Sequence, residues 1–154
     1  TICVDFAYKQ KEQPGIKWGL RNIKLRLSRK LIYIKGLLMC FSCYLNAAPG
    51  KEGVSEHLKT LISLKPLDLL IHVLKNRGLD QLLLDVLSRY DEFLGLLNDE
   101  TTRERLSSLT MLNAYDDGEF LKARDIANKF QLGLYQIFEK DQDLQDFTKK
   151  YVLF

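Results

Sequence analysis

Several groups of residues in this chain carry side chains capable of chemistry, and the first is Cys40-Phe41-Ser42-Cys43, two thiols in a C-x-x-C spacing. In redox proteins that pair sits at an exposed helix start, where the N-terminal dipole lowers a thiol pKa. Here it lies deep inside an apolar helical stretch, so both thiols are expected to be buried and structural, as free cysteines commonly are. A zinc site needs two more ligands. Cys3, His57 and His72 are the candidates, with no second paired motif among them. The two histidines belong to no H-E-x-x-H, and no G-x-S-x-G, Walker loop or G-x-G-x-x-G occurs. The acid pairs Asp116-Asp117 and Asp141-Gln142-Asp143 fail as an EF-hand, because Asp146 and Val152 stand where Gly and Glu are required. They are expected to be turn and helix-cap acids in solvent. No self-sufficient catalytic motif emerges, and no cofactor or metal is expected.

The second chemical feature is charge. Lys17, Arg21, Lys24, Arg26, Arg29, Lys30 and Lys35 have no opposing acid between residues 13 and 51. At about 100° per residue, Lys17, Arg21, Lys24 and Lys35 fall within about 60° of one another on a helix. Such a ridge can contact several phosphates, and its binding would then depend steeply on salt. Trp18 and Tyr33 are the aromatics near enough in sequence to stack on bases. The net charge of +3 conceals a polarity: residues 1–51 carry +8 and the remainder −5. Polarity of this kind attracts a polyanion to one end, or lets the two ends of a fold attract each other.

Asp5 is a third candidate. In Cys3-Val4-Asp5-Phe6-Ala7 a carboxylate stands between apolar neighbours on a strand pattern. This arrangement resembles the third metal-binding acid of polymerase-β-like nucleotidyltransferases. The resemblance covers three residues, and the two earlier acids after a Gly-Ser turn are not in this chain. It implies that Asp5 would ligate a metal while the basic ridge holds triphosphate or RNA.

These groups must be positioned by a few elements. Ile16, Leu20, Ile23, Leu27, Leu31, Ile34, Leu38, Phe41 and Leu45 recur every 3.6 residues on average, the helical repeat. They predict one long helix over about 15–45, bent at Gly36, basic in its first half and apolar nearly all round in its second. The second half is therefore expected to be buried. The run imitates a signal peptide or membrane span, but it starts too far into the chain, and Lys35 leaves less than the ~20 apolar residues a span needs. Residues 1–8 alternate like a short strand, which needs an edge to join.

Beyond residue 53 the patterns are helical: Val54–Ser63, a helix opened by Pro66 and ended by Gly78, Leu79–Leu97, one capped by Asp99, Phe120–Phe138 and Leu144–Tyr151. Inward stripes are expected at Leu67, Leu70, Ile71 and Leu74; at Leu82, Leu83, Val86, Leu87, Tyr90, Phe93 and Leu94; at Leu106, Leu109 and Leu112; and at Ile126, Phe130, Leu134 and Ile137.

The fold class that follows is an all-α helical bundle of about five to seven helices with one short N-terminal strand. It is read as one domain over 1–154: a strand at 1–10, the basic-then-apolar helix at 14–46 and an acidic bundle at 52–154. The first residue and the lone strand make it the C-terminal part of a larger protein in this reading. Three cysteines in 154 residues point to a reducing, cytoplasmic location.

The function expected is that of an accessory docking module. Its basic helix would meet an anionic partner, either a protein or a nucleic acid or nucleotide, away from any membrane. Two rival expectations are the substrate-binding part of a nucleotidyltransferase and a structural bundle that forms a homodimer.

Overall fold

The apolar stripe that begins at Leu20 is built almost as written in the computed structural model, which describes Gly15 and residues 17–47 and 50–152. Leu20, Ile23, Leu27, Leu31, Ile34, Leu38 and Phe41 are all buried. The helix that carries them is not uniform. Helix α1 (Trp18–Lys24) passes into a π-helical segment, Leu25–Arg29, which passes into α2 (Lys30–Asn46). The irregularity expected at Gly36 thus lies earlier: Gly36 sits inside regular helix, with open space around its Cα.

Six further α-helices follow: α3 (Lys51–Ile62), α4 (Pro66–Leu74), α5 (Asp80–Asn98), α6 (Glu100–Ser108), α7 (Gly118–Lys140) and α8 (Gln142–Tyr151), with a 3-10 turn at Ala114–Asp116. Counting the run from Trp18 to Asn46 once, there are seven helices among the described residues. The chain is an all-α bundle. The strand expected at residues 1–10 falls outside the described residues, as does Asp5. Among the described residues no helix is long and apolar enough to cross a membrane.

Local chemistry accounts for the boundaries. Pro66 occupies the first turn of α4, where its missing N–H costs nothing. Asp99 caps α6, its carboxylate accepting the Thr102 amide at 2.6 Å. Asn76 and Gly78 take left-handed conformations (φ 66° and 72°) and turn the chain between α4 and α5.

The chain divides into two compact units, each assembled from two separate stretches. The first comprises residues 1–28 and 88–131. Within it α1 lies against α6, and Gly19 permits the approach. Its amide donates to the Leu109 carbonyl at 3.2 Å. A Cβ there would stand 2.7 Å from the Leu106 carbonyl oxygen, closer than any side chain can sit. Trp18 is buried with its ring 6.0 Å from Tyr115 and 5.7 Å from Phe120. Phe93, Leu106, Ile126 and Phe130 complete this core.

The second unit comprises residues 29–87 and 132–154. Here α2 packs on α3 and α4, and Phe41 meets Phe147 of α8 edge to face at 5.6 Å. Gly133 admits Val86, whose Cγ2 would lie 2.7 Å from an added Cβ. Leu61, Leu69, Leu70, Leu74, Leu134 and Ile137 fill the rest.

Three inward expectations change. Leu112 lies in the loop beyond α6 and is 92% exposed, because the helix ends at Ser108. Ile71 and Leu94 lie at the margins of their stripes and remain exposed. The second half of the long helix is also not buried all round: Ile32, Tyr33, Cys40, Tyr44 and Leu45 are exposed.

Candidate functional site

Burying Leu20 and Ile23 fixes the rotation of α1, and residues at the remaining helical positions must then face outward. Lys17 and Lys24 are exposed and Arg21 is half-buried. Arg21 and Lys24 stand at i and i+3 within α1, which places them on one face. Lys17 itself is the N-cap, held in the left-handed region (φ 56°). It borders an open groove of about 570 Å³, whose wall includes Leu20 and, from α6, Arg103, Glu104, Ser107 and Ser108. Arg103 reaches Glu100 at 3.6 Å.

The other basic residues are used differently. Arg26 Nε donates to Asn22 Oδ1 at 3.1 Å, one turn back. Arg21, Arg29 and Lys30 each have an interaction partner in the protein. Lys35 belongs to the second unit, where Nζ donates to the carbonyl oxygens of Ile62 (3.0 Å) and Leu64 (2.6 Å). It therefore supplies hydrogen bonds to carbonyls that the end of α3 leaves unpaired. The alignment of Lys35 with Lys17, Arg21 and Lys24 presumed an unbroken α-helix. The π segment, bonded i to i+5, breaks that period.

The C-x-x-C thiols are free, and Cys40 is exposed while Cys43 is half-buried. Burial of both was the wrong expectation, because the apolar residues around Cys40 exceed what α3, α4 and α8 cover. Burial first, and the neighbouring Cys40 second, push the Cys43 thiol above its ordinary value. His57 Nε2 lies 2.8 Å from Ser42 Oγ, and His72 is exposed on α4. Neither histidine joins the cysteines. Among the described residues no three of His, Cys, Asp and Glu gather as metal ligands.

The acid pairs are helix caps, as expected, but Asp117 and Asp141 are buried and each is held by an arginine. In the first unit Asp117 Oδ1 accepts the Phe120 amide at 2.9 Å and Oδ2 accepts Arg105 Nε at 2.7 Å. In the second, Asp141 Oδ1 accepts the Leu144 amide at 2.9 Å, and Arg77 reaches both carboxylate oxygens at 2.5 and 2.8 Å. Arg77 also donates to Asp143 at 2.6 Å. Burial acts to raise both carboxyls, but the amide and guanidinium donors outweigh it and hold each below the usual Asp range. Arg77 stacks over Phe41, 5.2 Å from its centroid. No spacing rule links residue 77 with 141 or 105 with 117, so sequence alone carried no signal for either pair. Comparison with family models, curated proteins and solved structures gave no match.

Proposed function

We propose that this chain is a helical docking module that meets an anionic partner through the face of α1 formed by Lys17, Arg21 and Lys24, with Arg103 beside Lys17. The observation that carries this reading is the exposure of Lys17 and Lys24 at the two ends of α1, in a stretch of sequence without an acid from residue 13 to 51. The buried Asp–Arg pairs serve helix starts, and the His57–Ser42 contact lies in the second unit on a serine that is itself buried. A surface of exposed cations supplies attraction at long range and loses it with salt, since screening acts over about 8 Å at physiological ionic strength.

The test is binding of the whole chain to two fluorescent polyanions, a single-stranded oligonucleotide and polyglutamate, across a salt series. Three phosphate contacts on a single strand predict a logarithmic slope of about −2. Reversal of the face in K17E/R21E/K24E should abolish binding while the helical circular dichroism remains. Failure of both polyanions to bind at low salt contradicts the proposal. A mass that rises with concentration in light scattering, without polyanion binding, would instead favour a structural dimer.

A further inference from the structure

The exposed side of α2 carries an unusual grouping. Met39, Cys40 and Cys43 put three sulfur atoms within five residues of one helix. Cys40 and Cys43 stand at i and i+3, and Met39 and Cys43 at i and i+4, so Cys43 is the helical neighbour of both others. Cys40 is exposed and Cys43 half-buried. Met39 is half-buried too, in a groove of about 400 Å³ whose other wall is Val54, Leu58 and Ile62 of α3 together with Lys51, Ser55 and Lys59. All of these residues lie in the second unit. The only charged residues on α2, Lys30 and Lys35, lie at least four positions before Met39.

Helical spacing decides what the two thiols can do together. Side chains at i and i+3 have Cβ atoms about 5–6 Å apart. A disulfide needs about 3.5–4.5 Å. Closing one would therefore distort a helix that is regular here from Lys30 to Asn46. A metal ion between the sulfurs asks for less closure than a disulfide. With metal–sulfur bonds of about 2.3 Å, as in zinc thiolates, two opposed bonds span about 4.6 Å, within reach of sulfurs that lean toward each other.

The donor set then selects the ion. Zinc in structural sites takes four ligands, and among the described residues no third His, Cys, Asp or Glu joins the pair. Thiolate and thioether donors are soft and favour monovalent copper. We infer that Cys40 and Cys43 form a solvent-facing dithiolate clamp for a soft monovalent metal ion of the copper(I) type, with the Met39 thioether as a third sulfur donor. Binding replaces both thiol protons by the ion, which releases them to solvent, and no electron is transferred.

The experiment is an anaerobic titration of the reduced full chain with copper(I), in competition with a coloured copper(I) chelator. One equivalent should be withdrawn from the chelator by the wild-type chain and by Cys3→Ser. Loss of an outer-shell partner alone weakens metal sites roughly 10–100-fold, so Cys40→Ser and Cys43→Ser should each weaken uptake by at least about tenfold. Met39→Leu should weaken it less. Circular dichroism should be unchanged in Cys40→Ser, whose side chain is exposed. Wild-type uptake in Cys40→Ser or Cys43→Ser, or no withdrawal of copper(I) by the wild-type chain, overturns the inference.

Discussion

Asp141 and Asp117 hold the N-termini of α8 and α7 by the same device, a buried carboxylate that accepts a helix amide and an arginine at once. Both titrate lower in the folded chain than the ~3.9 of an unfolded Asp. The exposed cap Asp99 is held to about 2, by the Thr101 hydroxyl first and then the Thr102 amide. The sign is the same for all three. Their stability is fully present above pH ~4 and is lost as pH falls through the folded values. Denaturant unfolding followed against pH should therefore weaken below about pH 4. D117N/D141N, which keeps both caps and removes the charge, should flatten that acid limb.

Removing the carboxylate altogether in D141A should cost roughly 2–3 kcal/mol, because it breaks a largely buried pair whose arginine is only partly exposed. Gly19 invites a second test. A methyl group there meets the Leu106 carbonyl at 2.7 Å, so G19A should destabilise by about 1–3 kcal/mol through overpacking. An unchanged denaturant midpoint would show that α1 and α6 part without cost.

At the scale of elements, the helices were largely legible in the sequence and their company was not. The stripe from Leu20 to Phe41 is buried position by position because a 3.6-residue repeat has one face, and that face must leave water. Pro66 and Asp99 announced their helix starts through chemistry that acts within one turn. The π segment did not announce itself. No residue among Leu25–Arg29 is a Gly or Pro that would mark it.

Lys35 shows the same limit, since its carbonyl partners lie 27 and 29 residues away. Its use as a cap predicts that K35M loosens the end of α3 by about 1 kcal/mol. Hydrogen exchange should quicken at the last turn of α3 and the loop that follows it. Polyanion binding should stay as in the wild type, because Lys35 is already spent on Ile62 and Leu64. A loss of binding in K35M would return Lys35 to the contact surface.

For the whole molecule, an all-α bundle could be read from the chain, and its division into two units could not. Each unit joins stretches far apart in sequence, and its limits at residues 28/29, 87/88 and 131/132 fall within helical runs. Composition shifts and breakers mark boundaries only in loops, so no local signal was available. The basic stretch was visible as charge, but the use of Lys35 on the carbonyls of Ile62 and Leu64 needed the fold. The exposed thiols were misread for a related reason: apolar neighbours predict burial only when another element covers them.

The central claim is that the face of α1 is a docking surface for an anion. Its most direct test is the affinity of the wild-type chain and of K17E/R21E/K24E for the labelled oligonucleotide and for polyglutamate over a salt series, with circular dichroism on both proteins. The account predicts binding of at least one polyanion, an affinity that falls steeply with salt, and its loss in the reversed variant with helicity intact. Absence of binding by the wild type at low salt, or undiminished binding by the variant, would contradict it.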